Sequence, residues 1–462
     1  MQFILPLALI GFLLVGLSAH RSASTRDDYF IAGRGGSRVA ITGSLFATAV
    51  GGSATVGVVG LGYSLGLTGA WWTLVGVPGL LLLGLVVVPR LRSYSVYTLP
   101  GLLERVYGPR VSIFAAVLIV IAWTGIVAGQ VVAAGLLLSE FGAGSRTLWM
   151  VGFTGVLILY AVFGGQRAVI KTDSVQAVLI LLGLVIAAIA LISGNGGLTS
   201  LKDLLPTGAL RFPTSNDFGW WDISRLLLLV GIAYAVGPDM YSRMLSARTT
   251  EGARCAALYT AAALVPIAFL AAGMGMIASA LAPELAPERA LPWLISTALP
   301  DVVAAVLLLG IVAALMSSAD STLLGQSAVL ANDILRQVLS LSDRQTVTVA
   351  RIAVAALGVA SLAIASYFGE VIASLMFAYS VFASGVVGPV LLGLFGGRFR
   401  PTAGVALLGL SLGGSLGLLG ALPVLDIPYK SLLPVVGLVG SVVVPVVVTL
   451  LQRRLSQSDS MV

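Results

Sequence analysis

"ATAVGGSATVGVVGLG", residues 47–62, carries glycines at 51, 52, 57, 60 and 62 inside an otherwise apolar run. A second run, "VGIAYAVGPDMYSR" (230–243), carries Gly231, Gly237 and Pro238. Glycine weakens a helix and proline removes a backbone donor, so both runs are read as helices that start apolar and break midway. The alternative for any one glycine is simple close packing of membrane helices. Two clusters at matching places in two halves of a chain favour functional breaks. They divide the fold: each opens a set of five apolar segments, and an odd number per set makes the second set inverted relative to the first.

The chain around them is a membrane protein. Of its 462 residues, 58% are hydrophobic and 10% are charged, against roughly 25% charged in soluble domains. A spanning helix needs about 20 mostly apolar residues. Such segments fall at roughly 3–19, 39–64, 68–89, 111–138, 146–164, 172–193, 221–240, 255–283, 300–325, 348–368, 371–395, 402–422 and 431–451. The expected class is an all-α integral membrane protein with about 13 transmembrane helices. Continuous apolar runs do not alternate, which excludes a β-barrel. The first segment lacks a basic start, and its basic residues follow it in "HRSASTR", so it is read as a retained helix and not a signal peptide. The organisation is an N-terminal helix and loop (1–38), a first repeat (39–195), a second repeat (220–396) and two further helices (401–452), all within one transporter domain (1–462).

Cys255 is the only cysteine and His20 the only histidine. Disulfide frameworks, thiolate metal sites and histidine dyads are thereby set aside, and no nucleophile–base pair points to an enzyme. The net charge of +7 does not indicate nucleic acid, because the basic residues follow the positive-inside pattern. With thirteen helices and the N-terminus outside, only Arg146, Lys202, Arg211, Arg225, Arg289 and Lys430 of the 26 Lys and Arg fall on the outer side. The expected location is the cell membrane, multi-pass, with the N-terminus outside and the C-terminus cytoplasmic.

Oxygen is concentrated in "AALMSSADSTLL" (313–324), at the end of the ninth segment. Ala314, Ser317 and Ser318 lie at i, i+3 and i+4 and share one helix face. A carbonyl and two uncharged hydroxyls suit a weakly held monovalent cation, with carbonyls of a broken helix opposite completing about five ligands. Divalent ions usually draw carboxylates. The competing reading is that each serine bonds back to its own helix. Asp320 and Ser321 continue that face by a turn. Asp320 is a costly intramembrane carboxylate and so a functional candidate, or else a surface group or an arginine's partner.

Four stretches then carry a resemblance: "DDYFIAGR" (27–34), "YAVFGGQRAVIKTDSVQ" (160–176), "GPDMYSRMLSAR" (237–248) and "AALMSSADSTLL…NDILR" (313–336). In sequence, order and spacing the chain resembles the sodium:solute symporter family, from about residue 1 to about 400. The resemblance implies the LeuT-type fold: a 5+5 inverted repeat with an extra N-terminal helix and two extra C-terminal helices. It implies Na⁺ as coupling ion, held by the carbonyls of Ala47 and Val50 with Ala314, Ser317 and Ser318. It also implies a second ion at Asp173, Asp320 and Ser321, although Asp173 fits equally an intracellular gate paired with Arg243. Positions that hold sugar hydroxyls in sodium–sugar members fall on Ala54, Thr73 and Val230, which offer little to a polyol. The implied solute-lining residues are Ser53, Ala54, Thr55, Trp72, Thr73, Tyr234 and Gly237, with Trp71 also a candidate. Trp71 and Trp72 alternatively belong to an interfacial aromatic belt. "G-x-x-Y-x-x-G-P" (231–238) is similar to the family's proline and carboxylate transporters. The expected activity is sodium-coupled import of a small amino acid or monocarboxylate by alternating access, with the lipid bilayer, the solute and the ion as partners. The alternative is a family-related membrane solute sensor, which would need a separate signalling partner, or else a proton-coupled transporter. The sequence leaves the oligomeric state open.

Overall fold

The computed structural model describes residues 10–11, 25–422, 424–425 and 428–459. The first apolar segment, His20 and Arg21 lie outside these residues, apart from positions 10 and 11. The described chain is helical and forms no strand; its β-type pairing is an isolated bridge between Gly36 and Ala247. Ten of its helices are long and apolar enough to cross a membrane.

The first broken helix consists of α1 (Arg38–Ala49) and α2 (Val58–Leu65), joined by a wide turn at Ser53–Gly57. Ser37 caps α1 by accepting from the Ala40 amide. The helix ends at Val50, whose φ of −99° and ψ of 58° leave the helical region. After Gly66, with φ +65°, the chain turns into α3 (71–91). Then come α4 (Pro109–Phe141) and α5 (Arg146–Gly194), the latter being two helices that meet at Gly165, whose φ of +62° and ψ of 176° are not helical. The second broken helix is α6 (220–236) followed by α7 (Pro238–Ser246). Gly237 between them is extended, at φ −62° and ψ 141°. Pro238 is the cause, because proline disfavours helix at the residue before it yet starts a helix readily.

The remaining spans are α8 (Thr250–Leu281), α9 (Asp301–Val329), α10 (Asp343–Phe368), α11 (371–395), α12 (Ala403–Ala421) and α13 (Leu433–Asp459). Twelve of the thirteen apolar segments thus coincide with described helices. The turn between the fifth and sixth segments is tighter than the sequence reading placed it. Gly165, at φ +62° and ψ 176°, leaves the helical region, and residues 166–171 already belong to the second of the two helices that meet there. Their polarity suggested a loop, but Gln166, Thr172 and Asp173 are buried against protein, where helix satisfies the backbone.

α9 stands at the centre. Every residue from Gly310 to Leu324 is buried, so its oxygen-rich end faces other helices and not lipid. The lipid side lies elsewhere. Val436, Val439, Val443, Val447 and Leu450 form an exposed apolar stripe on α13, as do Val175, Val178, Leu182, Ile186 and Ile189 on α5.

Candidate ion and solute site

The first break packs against α9. Around it the backbone hydrogen bonds run from Val50 N to Phe46 O, from Thr55 N to Gly51 O and from Gly57 N to Gly52 O. The carbonyls of Ala47 and Val50 take no part in them. Gly51 admits Ser318: a Cβ there would overlap the serine side chain, with Gln130 Oε1 3.1 Å away. Gln130 of α4 also accepts the Gly52 amide at 2.7 Å, so it holds the far side of the break. Ser318 Oγ donates to the Thr48 carbonyl at 2.7 Å, and Ser317 Oγ donates to Asp173 Oδ1 at 2.5 Å. Neither serine bonds back to its own helix. A hydroxyl has one proton and two lone pairs. Both protons are committed, which leaves lone pairs free for a cation beside two unengaged carbonyls. Ala47, Val50, Ala314, Ser317 and Ser318 are all buried. The donor set fits sodium.

Below this layer lies a charged network. Arg243 of α7 is fully buried and divides its guanidinium among five neighbours, Ser242 Oγ the most distant at 3.5 Å. Nη2 meets Asp173 Oδ2 at 3.3 Å and also donates to Ser321 Oγ. Nε donates to Ser44 at 3.0 Å, and Nη1 donates to the Asp239 carbonyl at 2.9 Å. Ser44 in turn donates to Asp173 Oδ2 at 2.5 Å, and Thr48 Oγ1 donates to Ser321 at 3.4 Å. Asp173 is therefore the arginine's partner here. Asp320 is neither at the surface nor in a salt bridge, which removes both structural alternatives for it. It accepts from Ser321 at 3.1 Å through Oδ1. Oδ2 makes no hydrogen bond of normal geometry, although the Tyr160 hydroxyl lies beside the carboxylate.

A small cavity of about 30 Å³ lies on the other side of the serine layer, lined among others by Ser53, Gln130, Tyr234, Asp239, Ser318 and Tyr379. Of the expected solute residues, Ser53 and Tyr234 line it. Ala54, Thr55, Trp72, Thr73 and Gly237 do not. Thr55 Oγ1 bonds back to Gly51 O at 2.8 Å. Trp72 reaches only the Tyr379 ring, 6.5 Å away between centroids. Gly237 stands behind the wall, where a Cβ would lie 2.8 Å from Asp239 Oδ1. Trp71 stacks on Phe212 and donates to the Pro213 carbonyl at 2.8 Å, in the loop before α6. The sequence reading missed Thr48, Trp123, Gln130, Asp239, Thr322 and Tyr379. Two carried a signal: Asp239 is a carboxylate directly after a Gly-Pro break, and Gln130 is a lone amide in an apolar helix.

Two broken helices flanking a buried polar helix, with an oxygen-lined cavity between them, define a secondary transporter of the LeuT-type fold. The chain matches the sodium:solute symporter family over residues 29–413, and it belongs to that family. It is 27% identical over 416 residues to the high-affinity proline transporter PutP of Bacillus subtilis (strain 168), covering 85% of this chain and 87% of that one. It is 25% identical over 404 residues to the sodium/glucose cotransporter of Vibrio parahaemolyticus, covering 80% and 74%. A Na⁺-coupled sialic acid symporter, solved substrate-bound and outward-open, superposes with a TM-score of 0.80 at 22% identity over 97% of both chains. The chain is a multi-pass membrane protein, and sodium is its coupling ion.

Proposed function

We propose that this protein imports a small organic solute, an amino acid or monocarboxylate, by alternating access driven by the sodium gradient. The ion would be held by the carbonyls of Ala47, Val50 and Ala314 and the hydroxyls of Ser317 and Ser318. It would join α9 to the first break and favour the form with a complete solute cavity. Each sodium crossing inward gains about 2.3 kcal/mol per 100 mV of membrane potential. The proton placement on the two serines is the observation that carries the reading: Ser317 donates to Asp173 and Ser318 to the Thr48 carbonyl of the broken helix, so both protons are engaged and each hydroxyl keeps lone pairs for a cation.

The test is sodium-dependent uptake into proteoliposomes by Ser317→Ala and Ser318→Ala. Ser327→Ala is the control, because Ser327 bonds back to Leu324 O at 2.8 Å. Loss of such a bond costs about 0.6 kcal/mol on average in membranes. Loss of an ion ligand should raise half-saturation by sodium at least about tenfold, or about 1.4 kcal/mol. Unchanged sodium dependence in both variants at normal expression sinks the assignment. Net flux in the parental protein separates a transporter from a sensor.

Asp320 favours a second ion at Asp173, Asp320 and Ser321, since its carboxylate forms no salt bridge in a buried layer; Asp173 and Ser321 would give up Arg243 to hold it. Sodium or a proton would answer equally, and the pH dependence of uptake in Asp320→Asn separates them. Little effect of pH on parental uptake favours sodium.

A further inference from the structure

The cavity wall holds a second carboxylate without a charged partner. Asp239 stands in the first turn of α7, just after the Gly237–Pro238 break, and is 8% exposed. It forms no salt bridge, and no lysine, arginine or histidine lines the cavity. The guanidinium that follows it by one helical turn, Arg243, is committed to Asp173, Ser321 and Ser44, and touches Asp239 only at its backbone carbonyl. The amides of Asp239 and Met240 and the Trp123 indole lie beside the carboxylate, and the buried indole N–H makes no hydrogen bond of normal geometry. Three aromatic side chains line the same space, Trp123 from α4, Tyr234 from α6 and Tyr379 from α11.

A buried anion among aromatic rings is the chemistry that selects a positively charged nitrogen, through charge pairing and attraction to the ring faces. We propose that Asp239 binds a cationic nitrogen on the transported solute, so that the solute is an amino acid or related amine and not a monocarboxylate. This rests on the solute cavity proposed above. Charge balance carries it. A zwitterion with one sodium ion neutralises Asp239⁻, whereas a monocarboxylate with one sodium ion leaves a net negative charge in a low-dielectric cavity. Glucose and inositol offer the carboxylate no cation at all.

The test is thermal melting of the purified full-length chain in sodium and in potassium buffer. The probes are two pairs of similar shape, L-proline with tetrahydrofuran-2-carboxylate and choline with 3,3-dimethylbutan-1-ol. The second member of each pair lacks the charged nitrogen. At least one nitrogen cation should raise Tm in sodium, and its partner should need at least about tenfold more for the same rise, a difference of about 1.4 kcal/mol. Asp239→Asn should lose that rise while its Tm still responds to sodium, which certifies the fold. The proposal is overturned if neither nitrogen cation stabilises the protein, if the nitrogen-free partners do as well, or if a folded Asp239→Asn responds like the parent. The comparison of pairs needs no variant, so a misfolded Asp239→Asn leaves it decisive. Sodium alone tests the ion reading separately: if it leaves the parental Tm unmoved, that reading fails, and the paired comparison is then read in potassium.

Discussion

Arg243 concentrates the residue-scale energetics of the core. Its guanidinium forms a fork that one ammonium cannot reproduce, serving Asp173, Ser321 and Ser44 at once. Removing one partner of a buried pair leaves an uncompensated charge, at a cost of about 3–5 kcal/mol. Arg243→Met should therefore lower the melting temperature sharply. Adding Asp173→Asn should restore much of the loss, because the orphaned carboxylate is then gone. A double-mutant cycle measures the coupling, expected within about 0.5–3 kcal/mol; strictly additive losses would mean that the pair does not act as a unit. Arg243→Lys keeps the charge and loses the fork, so uptake should fall more than stability. The serine pair was legible in the sequence because helical spacing puts Ala314, Ser317 and Ser318 on one face. What crosses that face was not. Thr48, Gln130 and Asp239 reach the site from helices far away in the chain, and period alone does not fix which helix packs where.

At the scale of elements, the breaks were legible because glycine and proline act locally. The tightness of the turn within α5 was not, since residues 166–171 look like a loop until their burial is known. Glycine has a second use, between elements. α2 crosses α8 at Gly62 and Gly275: a Cβ on Gly62 would overlap the Ala272 carbonyl, and one on Gly275 would overlap the Val59 carbonyl. Backbones meet this closely in membranes only where both surfaces are small. Gly275→Ala should push α8 off the outer arm of the broken helix and destabilise the protein by about 1–3 kcal/mol. Gly273→Ala is the matched control, because a Cβ there meets nothing within 4 Å and alanine is the better helix former. Melting of the two variants in the same detergent checks this. Equal stability would mean that α2 and α8 are free to separate, and the crossing would no longer count as a fixed part of the scaffold.

Across the whole molecule, the loops sort themselves into two ends. Arg26 bonds Asp343 at 3.3 Å and also Asn332; Tyr97 bonds Asp27; Gly36 pairs with Ala247; and Gln337 donates to Glu104 at 3.0 Å. These are loops that the basic-residue pattern assigns to the inside. At the other end, Arg289 meets Glu140 at 3.1 Å, Arg146 donates to the Gly369 carbonyl at 2.5 Å, and Tyr63 donates to the Ala282 carbonyl at 2.9 Å. These belong to the loops assigned outside. No loop in these contacts is shared between the ends, so the parity of the spans agrees with a count made from charge alone. The two arguments are independent: hydrogen bonds say which loops lie together, and the positive-inside rule says which group faces the cytoplasm. With Cys255→Ala as background, single cysteines at Ser340 and Asn216 test the second step, both positions being exposed. An impermeant thiol reagent on intact cells should label Asn216→Cys and spare Ser340→Cys until the membrane is opened. The reverse pattern would turn the molecule over. The sodium gradient would then meet its site from the opposite side, and export would replace import as the direction the gradient drives.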